Sequence, residues 1–363
     1  MNDLAPFGKL IQRLINHTDL SSEESYRAFC EILKGQQPDL QQGAFLSALV
    51  AKGETSGEVE GAWRAIMELD TVDASEGLPR PLIENSGTGM DSLKTFNVSS
   101  VAAIVAAACG ATLARHGARA LTSSCGTVDV LEAAGIGVDV EIETIRKSIC
   151  ECGIGLFNGM SAKVHPCALG RILSQIRFGS TLNIAASLAN PARPDRVVRG
   201  VYAPRLLSLA TDVLCDMGVE KGMVVYGTDS EREGGMDELS ITGPTQIISF
   251  TATQRQAYTI MPEEVGLRTA RFEDIAAFGD VQRERDRLLD ILSGRGTQTC
   301  TDMTCLNAAA VLVVGDLAAS FEEGVRLARN AIADGRAFAK LQQWQKAQGG
   351  DSFPVSCFNV KHA

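Results

Sequence analysis

The chain lacks a hydrophobic run long enough to cross a membrane. Its longest apolar stretch, Val98 to Ala114, is interrupted by Ser99, Ser100, Gly110 and Thr112, and it falls short of the roughly 20 residues that a spanning helix needs. It reads as a buried helix. The first residues, MNDLAPFGKLIQRL, lack the charged, apolar and small-residue zones of a signal peptide, which sets the expectation of a cytoplasmic protein with no membrane partner. An excess of basic residues is also missing: 34 Lys+Arg stand against 44 Asp+Glu, a net charge of −10. Broad affinity for nucleic acid comes largely from neutralising phosphates, so this balance argues against such a partner. A local basic pocket for a small phosphorylated ligand stays open. There is no GxGxxG fingerprint and no Walker lysine pattern, which leaves dinucleotide and nucleoside triphosphate motifs unsupported. No internal repeat is present. The 10 cysteines are scattered, mostly in apolar contexts such as Cys30, Cys109, Cys215 and Cys305, and they read as reduced thiols. Cys150 and Cys152 form a C-x-C without a second Cys/His pair at zinc-like spacing.

What is present is a chain of 363 residues, 45% of them hydrophobic, long enough for two or three structural units. Residues 1–72 read as consecutive short helices. Leu10, Ile11, Leu14 and Ile15 share a helical face, Ser21/Glu24 and Thr55/Glu58 make capping boxes, and a further helix begins near Pro38. The character changes after Pro79 and Pro81. Leu82 to Asn85 reads as a strand running into Gly87-Thr88-Gly89 and then into the helix from Val98 to about Gly110. Ala111–Arg115 and Met223–Gly227 read as further strands before polar loops. Strands alternating with helices predict an α/β body with a mostly parallel sheet. The stretch from Ala162 to about Ala189 reads as helix that completes the small helical domain at about 163–189, leaving 73–162 and 190–363 as the large domain. Leu306–Val313 and Ser320–Leu341 read as closing helices.

Three segments could carry chemistry. Gly87-Thr88-Gly89-Met90-Asp91 at a strand end, with Asn97-Val98-Ser99-Ser100 at a helix start, gathers N–H groups, hydroxyls and an amide suited to an anion; by itself it reads equally well as a tight turn and an ordinary cap. Arg115-His116-Gly117-Ala118-Arg119, followed by Thr122 to Asp129, is rich in cations and hydroxyls and suits phosphate, or is a solvated loop. Asp237-Glu238 places adjacent carboxylates after a strand, a donor set suited to Mg²⁺; alone, such a pair is usually just solvated. Cys125 would be reactive if nearby cations lowered its pKa.

In this order, with Gln42 to Leu46, Lys52 to Thr55, Asp237 to Ser240, Gly243-Pro244-Thr245 and Leu306-Asn307-Ala308, these segments resemble the anthranilate phosphoribosyltransferase family over nearly the whole chain. The resemblance implies a small helical domain beside a large α/β domain with a mostly parallel sheet, a homodimer, and a site for phosphoribosyl pyrophosphate (PRPP) between the domains. It places Gly87, Thr88, Gly89, Asp91, Asn97, Ser99, Ser100, Arg115 and Thr127 around PRPP, with Arg115 where lysine is usual. It places Mg²⁺ on Ser99, Asp237 and Glu238. It also brings Ala118, His165, Arg177 and Gly179 to the acceptor.

The departures from the family pattern gather at the acceptor. Met90 and Ser92 stand where glycines are common, Ala118 replaces an asparagine, and Ser124, Cys125 and Thr127 replace lysine, serine and serine. The arginine that pairs with the anthranilate carboxylate aligns with Gly179, and a Gly-Pro pair is Ala186-Ser187. Arg177 would substitute if the backbone were shifted. Losing a charge-assisted contact costs roughly 1.5–3 kcal/mol. The sequence therefore implies a Mg²⁺-dependent phosphoribosyltransferase that uses PRPP and an aromatic nitrogen acceptor, a relative of anthranilate being favoured over anthranilate, and it predicts that Gly179→Arg raises anthranilate turnover. The alternatives are a non-catalytic paralogue that binds a phosphorylated ligand or nucleic acid, and a nucleoside phosphorylase, which the Asp237-Glu238 pair disfavours.

Overall fold

The computed structural model describes residues 4–119, 125–176 and 178–349. Arg177 and the hydroxyl-rich residues Thr122, Ser123 and Ser124 lie outside the described residues.

Four helices come first: α1 (Ala5–Ile15), α2 (Ser22–Leu33), α3 (Asp39–Lys52) and α4 (Ser56–Leu69). Both expected capping boxes form, at Ser21/Glu24 and Thr55/Glu58. The second does more than cap, because Glu58 is fully buried and also accepts from the Leu20 N–H at 2.9 Å and from Lys52 at 3.0 Å. That one carboxylate fixes the start of α4 against the chain entering α2 and the end of α3.

The α/β body opens with β1 (Ile83–Gly87), α5 (Val98–Ala108), β2 (Leu113–Gly117), α6 (Thr127–Ala133), α7 (Ile142–Cys152) and β3 (Ile154–Asn158). The stretch expected to be one helix is two, α8 (Leu169–Ile176) and α9 (Thr181–Leu188). The division falls where Ser180 starts α9 by pairing its N–H and hydroxyl with Asn183 Oδ1 at 3.0 and 2.8 Å. Leu169, Ile172, Leu173 and Leu182 pack with Phe7, Phe29, Phe45 and Ile66 of the N-terminal helices. Next come β4 (Arg196–Gly200), α10 (Leu206–Asp216), β5 (Lys221–Thr228), β6 (Gly235–Met236), β7 (Thr245–Thr251) and β8 (Arg255–Ile260). Helices α11 (Val281–Leu292), α12 (Gln298–Val314), α13 (Phe321–Ala333) and α14 (Arg336–Ala347) close the body. Ser320–Leu341, read as one helix, splits because Gly335 takes a left-handed φ of 81°, a conformation that ends a helix and is open to glycine at no steric cost.

The sheet runs β3-β2-β1-β4-β5-β7-β8, with β6 beside β5. Strands β3 to β5 in that order are parallel, and β6, β7 and β8 are antiparallel additions. Helix α5 is buried from Val98 to Ala107 apart from Ser99, which its Ala, Val and Ile composition allows on every side, and it packs between the sheet and α12. Parallel strands bring their C-terminal ends to one edge, where ligand sites of such sheets collect. Gly87, Gly117 and Gly200 all end strands there.

Among the described residues no helix is long and apolar enough to cross a membrane. The described cysteines are free, and Cys215, expected in apolar surroundings, is exposed.

Candidate active site

At the C-terminal edge of the sheet the glycine loop and the acidic pair meet. The Gly89 N–H donates to Asp237 Oδ2 at 2.6 Å. A Cβ on Gly87 would overlap the Asp237 carboxylate, and one on Gly200 would overlap the Asp237 backbone carbonyl. Neither position demands glycine for its φ; the demand is for space. Gly200→Ala should therefore displace the acidic segment, costing about 1–3 kcal/mol from overpacking and most of the activity. Thermal unfolding with an activity assay checks this: an unchanged enzyme would show that the close approach is not needed.

The other carboxylate reaches the start of α5. Ser99 donates its N–H to Glu238 Oε1 at 3.2 Å, and its hydroxyl lies 2.9 Å from both Glu238 oxygens. Asn97 gives no side-chain cap, so the Glu238 oxygens supply the acceptor for the free N–H at the start of α5. Asp237 and Glu238 are both held above the ordinary carboxylate range, by burial first, with Asp91 repelling Asp237 and Asp237 repelling Glu238. Asp91 itself is nearly buried and pairs with Lys94 at 2.5 Å.

Arg115 lies below this arrangement and does not face solvent. It is 1% exposed and donates to the Ser99 carbonyl, which also accepts from Asn85 Nδ2 at 2.9 Å. Burial lowers its pKa to about 10, so it is charged at neutral pH. Its Nε, the Ser100 hydroxyl and Asn85 Oδ1 are buried without a partner among the described residues. Thr88 is anchored through its own N–H to the Gly200 carbonyl at 3.0 Å, and its hydroxyl accepts from the Tyr202 N–H at 3.2 Å. The structure thus brings Gly87, Thr88, Gly89, Ser99, Arg115, Asp237 and Glu238 into one network.

Residues assigned to the acceptor sit differently. Ala118 is exposed beyond β2, and its carbonyl accepts from the Val128 N–H at 3.4 Å, next to Thr127 at the start of α6. His165 is buried: its Nδ1 lies 2.6 Å from the Asp70 carbonyl, so that nitrogen carries the proton, and its Nε2 faces His116 Nε2 at 3.2 Å. Both ring nitrogens are engaged inside the protein. Burial and the His165 ring hold His116 well below the ordinary imidazole value. Gly179 lies against the glycine loop, where an added Cβ would overlap Met90 Sδ and stand 3.0 Å from its Cε. Met90 pays for that position with a left-handed φ of 65°, costly for a side chain with a Cβ.

Two cation and thiol expectations change. Arg119, read as part of a cation-rich loop suited to phosphate, is tied to Glu132 at 2.6 Å and Asp129 at 3.1 Å. The Cys125 thiol is pushed up to about 11 by burial and by Glu284, Asp129 and Asp280, which makes it unreactive at neutral pH. Sequence reading also missed the packing of Asp237 on Gly200, and the contact of Met90 with Gly179. The one available signal for the first was a glycine at the end of a buried strand.

A helical bundle thus stands beside a mostly parallel sheet, with a glycine loop and an acidic pair meeting at the strand ends, and both parts of the chain match the glycosyl transferase family. The glycosyl transferase family helical bundle domain matches residues 8–69, and the family's a/b domain matches residues 80–338. The anthranilate phosphoribosyltransferase of Methanocorpusculum labreanum is 36% identical over 94% of this chain and 97% of its own. The crystal structure of the Thermus thermophilus enzyme superposes with a TM-score of 0.83 at 30% identity, covering 93% of this chain and 99% of that one. The Saccharomyces cerevisiae enzyme in complex with PRPP and Mg shares the fold at a TM-score of 0.82 and 23% identity, over 95% and 98% of the two chains. The chain belongs to the anthranilate phosphoribosyltransferase family, and it is a pentosyltransferase-type enzyme.

Proposed function

We propose that this enzyme moves the 5-phosphoribosyl group of PRPP to the nitrogen of an aromatic amine, releasing pyrophosphate. The observation that carries this is the convergence of Gly89, Ser99, Asp237 and Glu238 within hydrogen-bond distance at the strand ends. Departure of pyrophosphate from the anomeric carbon builds negative charge on the leaving group, and a preorganised set of donors and cations stabilises it. The Gly87–Gly89 backbone and the start of α5 would hold the phosphates, with Thr88, Asp91, Asn97, Ser100 and Thr127 around them. Arg115 supplies a fixed positive charge from beneath the Ser99 carbonyl.

The residues present fit Mg²⁺. Asp237 and Glu238 are half-buried oxygen donors, and among the described residues no lysine or arginine forms an ion pair with them and no third His, Cys, Asp or Glu joins them in a metal-binding group. Mg²⁺ is suited to such a site, since it takes one or two carboxylates and completes its shell with substrate phosphates and water. When bound it would supply charge neutralisation to the leaving pyrophosphate. Ser99 stands beside the same carboxylates. An arylamine brings its own lone pair, so the protein needs only to position it.

The contact of Met90 with Gly179 supports an acceptor lacking the anthranilate carboxylate. The position aligned with the family's arginine has no side chain, and an apolar thioether occupies the space above it. With PRPP and Mg²⁺ present, a panel of arylamines and nitrogen heterocycles is expected to release pyrophosphate, anthranilate being a poor member. Efficient anthranilate turnover would contradict the acceptor assignment, and absence of calorimetric PRPP binding would contradict the donor assignment.

A further inference from the structure

Successive residues of β1 turn to opposite faces of the sheet. Glu84 faces one side, 3.6 Å from Arg199, while Ile83 joins the apolar core that holds Val98 and Val101 of α5 on the other. Asn85 shares the face of Ile83. It is a buried amide set into an apolar contact of helix and sheet, 3% exposed and two residues before Gly87. Its Nδ2 donates to the Ser99 carbonyl at 2.9 Å, and its Oδ1 is buried without a partner among the described residues.

Stability alone would not select this bonding. A carbonyl oxygen has two lone pairs, and in the first turn of an α-helix it already accepts the N–H four residues on. The Ser99 carbonyl nevertheless meets both the Asn85 amide and the Arg115 guanidinium. Donors crowd one oxygen while Asn85 Oδ1, an acceptor beside it, goes unmet. A buried acceptor left unpaired is costly, and an apolar side chain of similar size would avoid that cost. What the arrangement achieves is placement: Ser99 is fixed from beneath by its carbonyl, and its N–H and hydroxyl stand at Glu238. The same carbonyl shares a peptide unit with the Ser100 N–H, whose present acceptor, the Asn97 carbonyl, is 3.2 Å away. An amide and a cation on the oxygen polarise that unit and make its N–H a stronger donor, which adds to the positive end of α5.

We infer that Asn85 is a positioning residue of the anion site, acting through the Ser99–Ser100 peptide unit with Arg115 as its partner. It touches no substrate atom. It sets the donors at the start of α5 toward a diphosphate group, and in naming that group the inference rests on the phosphoribosyl transfer already proposed. Arg115 supplies the charge and Asn85 the second tether, so that the carbonyl is held from two strands, β2 and β1, rather than by one long side chain.

Asn85→Val removes the bond to Ser99 and the unpaired oxygen together, and a β-branched residue suits a strand. The ligand-free variant is expected to melt no lower than the parent, while its Ser100 amide resonance moves. Its calorimetric affinity for inorganic pyrophosphate with Mg²⁺ should fall about threefold to tenfold, the scale of one neutral hydrogen bond. With PRPP, kcat/KM should fall by a similar factor and KM for the acceptor should stay unchanged. Asn85→Asp, which keeps the size but sets an acceptor against the carbonyl and beside Arg115, should lose at least as much affinity. Pyrophosphate affinity equal to the parent's in both variants would overturn the inference, as would an unmoved Ser100 resonance. A loss of affinity that merely follows a lower melting temperature would do the same, since Asn85 would then be holding the fold. A parent that binds pyrophosphate and does not turn over PRPP would overturn the proposed reaction and leave this role standing; a parent that binds no pyrophosphate would overturn the role itself.

Discussion

Asp237→Asn and Glu238→Gln are each expected to lower kcat/KM by about 10²–10³, the loss seen when a group that stabilises transition-state charge is removed. Both are also expected to raise the melting temperature of the ligand-free protein. The two effects share one cause. The carboxylates stand half-buried side by side at the strand ends, and desolvation, with Asp91 repelling Asp237 and Asp237 repelling Glu238, holds both above their ordinary range. A carboxyl whose folded-state pKa lies above its unfolded value adds stability at low pH and loses it as pH rises through the folded value. The gain from Asp237→Asn should therefore be near zero at about pH 3, below the unfolded-state value, grow as pH rises towards about 7, and be largest at about pH 8.5. The amide preserves the hydrogen bond from Gly89, because its Oδ1 can take the place of the Asp237 oxygen that accepts at 2.6 Å. Lost packing would thus not account for lost activity. Melting curves at these pH values beside steady-state kinetics check the pair. Full activity in either variant would remove the carboxylates from the reaction, and a falling melting temperature at high pH would show their charge to be compensated in the fold.

The parts of this molecule that were legible in its sequence are those decided by neighbours in the chain. Strand β5 is an apolar run, β1 and β2 are short segments that end at a glycine, and both capping boxes pair residues three apart, so each announced itself. Strand β4 did not, because arginines at positions 196 and 199 interrupt its valines, and Arg199 is buried through contacts with Ser187 and Glu84 that only the folded chain makes. Strand β8 carries polar residues on an exposed edge and gives little apolar signal. The site divides in the same way. The glycine loop and the acidic pair were visible as motifs, with alternatives open for each. That Glu238 would cap α5 was not visible, since Ser99 and Glu238 are 139 residues apart. Nor was it visible that Arg115 would turn beneath the α5 N-terminus, because a strand residue's facing depends on what packs on each side. Met90 read only as a residue standing where glycine is common; the fold shows that its side chain reaches another segment.

That contact changes what an acceptor-site substitution should do. Gly179→Arg alone is expected to give little or no gain with anthranilate, because the new side chain must leave its backbone through the space that Met90 Sδ occupies. Met90→Gly alone is expected to remain a poor anthranilate enzyme, since it opens space without adding a cation. It should fold at least as well as the parent, because glycine adopts the φ of 65° at this position without the penalty of about 1–2 kcal/mol that a Cβ meets in the left-handed region, offset in part by its freer unfolded chain. The double variant brings both requirements together. If the guanidinium then reaches the carboxylate, a charge-assisted contact of about 1.5–3 kcal/mol corresponds to a rise of roughly 10–150-fold in kcat/KM for anthranilate. Turnover of acceptors without a carboxylate should fall, since they would face an unpaired cation where the thioether had been. The signature is non-additivity, because residues in contact couple while distant ones do not. A single Gly179→Arg change that by itself restores anthranilate use would show that Met90 swings aside freely. A double variant no better than either single one would show that the acceptor does not approach position 179.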